Sequence, residues 1–119
     1  MRNYRNLNVW KEGLRLAEEV YKLSGLLPGT ERDGLKSQVC KSSISIPSNI
    51  AEGCSRKREV DFKRFLESAL VSSFELETQF LMVKHLGLIP KDRLNKVFNL
   101  LDKEQRMLNS FVEKLEAKS

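Results

Sequence analysis

The sequence predicts an all-α domain, an antiparallel up-down-up-down four-helix bundle occupying residues 1–119. Three observations lead there. Four stretches carry apolar residues three and four apart, the spacing of one helix face. Short breaks rich in proline and glycine separate them, and connections of a few residues make successive helices antiparallel neighbours. No stretch alternates apolar and polar residues as a half-buried strand would, and Asp33-Gly34 lies inside a helical pattern rather than between strand-like runs.

The first helix is expected over about 7–26, with Trp10, Leu14, Ala17 and Tyr21 on one stripe and Pro28-Gly29 as breakers. The second is expected over 31–53. Thr30 is placed to cap it, with Asp33 three residues on, and Leu35, Val39, Ile46 and Ile50 share a face. Pro47 has no amide hydrogen and crowds the carbonyl four residues back, so a kink or short break is expected near Ile46. The third helix runs over 59–86 and stops at Gly87, which can take the left-handed conformation. The fourth runs over 90–115 from Pro90, a residue suited to a first helical turn, and Glu116 to Ser119 read as loose.

The helices carry more apolar surface than one core needs. On the third, Phe62, Phe65, Leu66, Ala69, Leu76, Phe80 and Val83 make the core stripe, while Leu70, Phe74 and Leu81 form a second group about 100° away. On the first, Val9, Leu16, Val20, Leu23 and Leu27 stand beside the Trp10 to Tyr21 stripe. The fourth shows a weaker version with Leu100, Met107 and Phe111. A second stripe exposed on a lone subunit marks an interface, so Val9, Leu16, Val20, Leu70, Phe74 and Leu81 are expected to bind further copies of the chain.

An apolar fraction of 40% and a charged fraction of 31% fit a folded domain with a well-solvated exterior. No apolar run approaches the roughly 20 residues that span a bilayer, and no signal-type segment opens the chain, so a cytoplasmic protein without membrane contact is expected. Cys40 and Cys54 lie too far apart on one helix to be bridged, and read as small buried thiols.

Catalytic chemistry finds little material. The one histidine, His85, sits where it complements the dipole of the third helix, and with two separated cysteines it makes no metal site. A di-iron bundle needs two Glu-x-x-His pairs, which one histidine excludes. No glycine-rich phosphate loop follows a strand, so no cofactor is expected. Glu77, between two apolar stripes, is read as a structural carboxylate within reach of Lys84, while Asn49 and Glu52 can satisfy backbone groups that Pro47 leaves open.

The net charge of +5 permits a polyanion partner without requiring one. In an up-down-up-down bundle the basic residues Arg2, Arg5, Arg56, Lys57, Arg58, Lys114 and Lys118 meet at one end. Repeated around an assembly, that end would take RNA or DNA phosphates by counterion release.

The segment Ser45-Ile46-Pro47-Ser48-Asn49-Ile50-Ala51-Glu52-Gly53 resembles the central motif of the four-helix bundle proteins named after intervening sequences in 23S ribosomal RNA genes. The resemblance extends to Val9-Trp10-Lys11, to Asp61-Phe62-Lys63-Arg64-Phe65-Leu66, and to the run Ser73-Phe74-Glu75-Leu76-Glu77-Thr78-Gln79. It implies a subunit that assembles into a ring, typically a pentamer, with no established enzymatic activity. A related accessory protein of diversity-generating retroelements is a strongly basic pentamer that binds a reverse transcriptase and nucleic acid. The resemblance therefore implies self-association first, and a nucleic acid or a nucleic-acid-processing protein as further partners. The rival readings are a scaffold for proteins alone and an enzyme of unknown type, which would require a pocket lined by Asn49, Glu52 and Glu77.

Overall fold

In the computed structural model, which describes residues 2–118, four helices follow one another: α1 (Asn8–Ser24), α2 (Leu35–Cys54), α3 (Glu59–His85) and α4 (Lys91–Lys118). No strand occurs among the described residues. Each helix packs against the next, and α4 returns to α1, which closes a square bundle 46 × 21 × 20 Å in extent. No helix is long and apolar enough to cross a membrane.

The core is a set of facing three-four repeats. Leu16, Val20 and Leu23 of α1 meet Val39, Ile46 and Ile50 of α2, Phe62, Leu66, Leu76 and Phe80 of α3, and Leu94, Val97, Leu101 and Leu108 of α4, all nearly or fully buried. This corrects the reading of α1. Val9, Leu16 and Val20, expected on an outer face, are 4%, 0% and 0% exposed, whereas Leu14 and Tyr21 of the expected core stripe are 39% and 51% exposed. The two stripes are adjacent three-four repeats. The longer one, Val9, Gly13, Leu16, Val20, Leu23 and Leu27, is the buried one, and its glycine hid its continuity.

Local chemistry sets the helix ends. Asn3 Oδ1 accepts from the Arg5 amide at 3.1 Å and opens a 3-10 turn at Tyr4–Asn6, whose tyrosine packs edge-on to Trp10. Thr30 does not cap α2: it lies in a second 3-10 turn, Gly29–Glu31, and the Glu31 carboxylate instead accepts the Leu35 amide at 3.3 Å. α3 stops as a left-handed Gly87 (φ 66°) lets the Leu88 amide donate back to the Val83 carbonyl at 3.1 Å. Pro90 lies just before α4, its carbonyl accepting the Arg93 amide. Glu116, expected to be loose, lies within α4 and pairs with Lys63 at 3.3 Å; Ser119 is outside the described residues.

α2 runs without a break through Pro47. The proline is buried, and its nitrogen lies at the crossing with α1, 3.6 Å from where a side chain on Gly13 would begin. The missing amide deprives the Ser43 carbonyl of its helical donor.

Candidate functional site

Of the motif residues, Ser45, Asn49 and Gly53 lie at the seam between α2 and α3. Small side chains line it: Ser42, Ser43, Gly53, Ala69, Ser72 and Ser73 are all buried. Ser43 and Ser73 return their hydroxyl protons to the carbonyls of Cys40 and Leu70, so they occupy core positions without orphan donors. The Ser45 and Ser72 hydroxyls join across the seam at 2.8 Å. Asn49 Nδ2 donates to both the Ser45 carbonyl and the Ser45 hydroxyl, at 2.8 and 3.0 Å, and holds that serine in place. Asn49 therefore holds the backbone at Ser45 and does not satisfy the Ser43 carbonyl that Pro47 leaves open, contrary to the expectation.

Gly53 closes the seam. A Cβ there would stand 2.8 Å from Phe65 Cβ and 3.1 Å from Phe62 Cδ1. Because Phe65 Cβ is fixed to its own backbone, the helices would have to part. Alanine gains about 1 kcal/mol in helix propensity, but overpacking costs about 1–3 kcal/mol. Gly53→Ala is expected to destabilise the fold by up to about 2 kcal/mol, measured by urea denaturation.

The three motif carboxylates do other work. Glu52 is exposed and pairs with Arg56 at 3.3 Å, not with the backbone near Pro47. Glu75 is exposed beside Asn49 at the outer edge of the seam. Glu77 accepts from Gln105 of α4 at 3.0 Å, while Lys84, its expected partner, lies over the Phe98 ring. His85 is the exposed last residue of α3, as the dipole argument requires.

The basic end is assembled as the topology predicted, but its arginines are engaged. Arg2 lies 4.1 Å over the Phe62 ring, pairs with Glu59 at 2.7 Å, and donates its amide to the Cys54 carbonyl. Arg56 covers the Phe65 ring while holding Glu52. Arg58 makes a two-pronged contact with Asp61 at 3.0 and 3.2 Å, which holds the Asp61 carboxyl below its ordinary range. Arg5 lies over Tyr4. Lys57, Lys114 and Lys118 are exposed, Lys114 beside the Leu7 and Phe111 groove between α1 and α4. Cys54 is buried beneath this end, and burial pushes its thiol pKa up. It is a poor nucleophile there. Cys40, partly buried, is likewise free of any disulfide.

Of the expected interface residues, Leu70 is half-buried against the core, while Phe74 and Leu81 are 47% and 40% exposed. Leu14 and Tyr21 of α1 and Ile44 of α2 make a second exposed apolar strip, lining a shallow groove with Ala17. Sequence reasoning placed Ile44 on neither face.

It also passed over Glu104, which is fully buried in the bundle core. The signal was available: Leu94, Val97, Leu101, Glu104, Leu108 and Leu115 keep one three-four repeat, and the glutamate falls on it. No group of three or more histidine, cysteine, aspartate or glutamate side chains suited to a metal ion occurs among the described residues.

The model of the 23S rRNA-intervening sequence protein family matches this chain over residues 5–110. Among solved structures, a protein of unknown function from the S23 ribosomal protein family of Bacteroides thetaiotaomicron superimposes with a TM-score of 0.80. The two chains are 23% identical, over 87% of this chain and 97% of that one, a likeness that carries the fold alone. No curated protein matches the chain. The family match covers the α2–α3 seam, its serines and its closing glycine together with most of the remaining bundle, and this chain belongs to the family of 23S rRNA-intervening sequence proteins.

Proposed function

We propose that the protein is a non-enzymatic assembly protein whose subunits join head to tail through two different apolar strips. The observation that carries this reading is the placement of those strips. Leu14, Tyr21 and Ile44 lie on the α1–α2 side of the bundle. Phe74 and Leu81 lie on the shoulder of α3 within roughly 60° of Glu77, which faces α4 through Gln105. The α1–α2 and α3–α4 sides of a square bundle are opposite faces. A contact between two unlike patches generates a closed ring when its rotation closes, and a pentamer is one such ring.

The burial of large side chains that are otherwise half in water supplies the driving force, at roughly 25 cal/mol per Å² of apolar surface removed from solvent. In such a ring the basic ends would stand side by side. Contact with RNA or DNA phosphates would fall chiefly to Lys57, Lys114 and Lys118, since Arg2, Arg56 and Arg58 serve carboxylates and rings within the subunit.

Phe74→Asp and Ile44→Asp are each expected to give folded subunits of 13.7 kDa, because each removes one strip without touching the core. Mixing the two variants is expected to restore a one-to-one complex and nothing larger, since each keeps the strip that the other lacks. Sedimentation velocity reads both outcomes. Variants that still assemble, or mixtures that stay monomeric, would refute the head-to-tail reading.

A further inference from the structure

The least extensive of the four helix-helix seams is that between α1 and α4, and a carboxyl group sits inside it. Glu104 of α4 is 0% exposed, and neither of its side-chain oxygens has a hydrogen-bond partner among the described residues. Its Oε2 lies 2.8 Å from the point where a Cβ on Gly13 of α1 would stand, with Ile46 Cγ2 at 3.4 Å and the Pro47 nitrogen at 3.6 Å from the same point. Three helices thus converge on one carboxyl, and the glycine makes the room for it. A buried ionised carboxylate without a partner costs far more than a neutral acid, so such a group stays protonated if the structure is to close around it.

The charges around it push the same way. Glu12 of α1 is directed to this seam, where its Oε1 accepts from Lys103 at 3.2 Å and from Arg15 at 3.1 Å. Its other oxygen is buried without a partner. On α3, Glu77 is held by Gln105, and the α2 atoms nearest the crossing belong to the uncharged Ile46 and Pro47. Burial first, and the Glu12 charge second, raise the Glu104 pKa to about 8, against a smaller opposing pull from Lys103.

We propose that Glu104 is a proton latch: the α1–α4 seam closes on its neutral acid, and loss of that proton loosens the seam and destabilises the subunit. The folded state then holds a proton that the unfolded chain has released. Stability is full below the ordinary carboxyl value of 4.5, falls as pH rises through neutrality, and levels off above about 8. A latch of this kind makes the subunit weaker in mildly alkaline surroundings than in mildly acidic ones.

The test uses the full chain and its Glu104→Gln variant, which keeps the shape of the side chain and cannot ionise. Urea unfolding is followed by helix circular dichroism from about pH 6 to about pH 8. The folding constant of the native protein is expected to fall relative to that of the variant by roughly tenfold per pH unit over the lower part of that range. A ratio independent of pH would overturn the proposal. Should the variant fail to fold, carbon-13 NMR of the glutamate-labelled native protein decides. One carboxyl resonance titrating near pH 8 supports the latch, and titration of every glutamate below about pH 6 refutes it.

Discussion

Phe62→Ala is expected to destabilise the subunit by about 3–5 kcal/mol, the usual cost of emptying a buried aromatic site. Phe62 is fully buried at the start of α3 and meets Phe111 of α4 edge to face, ring centroids 5.3 Å apart. Its other face carries the Arg2 guanidinium, and its edge lies against Gly53. One ring therefore joins α2, α3, α4 and the N-terminal arm. The cavity cannot collapse readily, because Gly53 offers no side chain to fill it and α2 is already as close as Phe65 Cβ permits. A fall in melting temperature of about 15–25 °C is expected by calorimetry. A loss below about 1 kcal/mol would mean that the basic end is not anchored through this ring.

Leu16→Asp is expected to prevent folding at neutral pH. Leu16 is fully buried near the middle of α1, so the substitution removes a core side chain and leaves an unpaired charge in its place. The combined cost of roughly 5 kcal/mol or more matches the whole stability of many domains this size. Had Leu16 stood on an outer face, the same substitution would yield a folded, soluble subunit. Circular dichroism separates the two results: loss of the helical signal is expected here, against its retention in Phe74→Asp.

The contrast between these two residues shows which parts of the fold the sequence made legible. The α3 stripe was readable because Phe62, Leu66, Ala69, Leu76 and Phe80 form an unambiguous face, and Gly87 ends the helix by a backbone geometry that favours glycine. On α1, two adjacent three-four repeats compete. Aromatic side chains on the shorter one outweighed a longer repeat interrupted by Gly13, whose reason for being small lies on another helix, at Glu104. Periodicity along one chain segment cannot reveal a constraint imposed across a helix crossing.

The basic end was legible in position but not in role. Topology alone brings Arg2, Arg56 and Arg58 together, whereas their occupation by Glu59, Glu52, Asp61 and the rings of Phe62 and Phe65 depends on side-chain geometry. Thr30 failed as a cap for a similar reason: the 3-10 turn displaced the start of α2 by several residues and gave the capping role to Glu31. The motif around Pro47 was read as structural, and its contacts are internal ones. Ser45, Asn49 and Gly53 fix the approach of α2 to α3, while Pro47 is buried against α1.

On the proposed reading this subunit, folded through one core, carries two further apolar strips that join it to copies of itself. The mass of the native protein in solution, measured by sedimentation equilibrium at low micromolar concentration, tests it most directly. A whole-number multiple of 13.7 kDa greater than one is the predicted result, and five is the multiple expected of the ring. A folded species that remains at 13.7 kDa across that concentration range would contradict it.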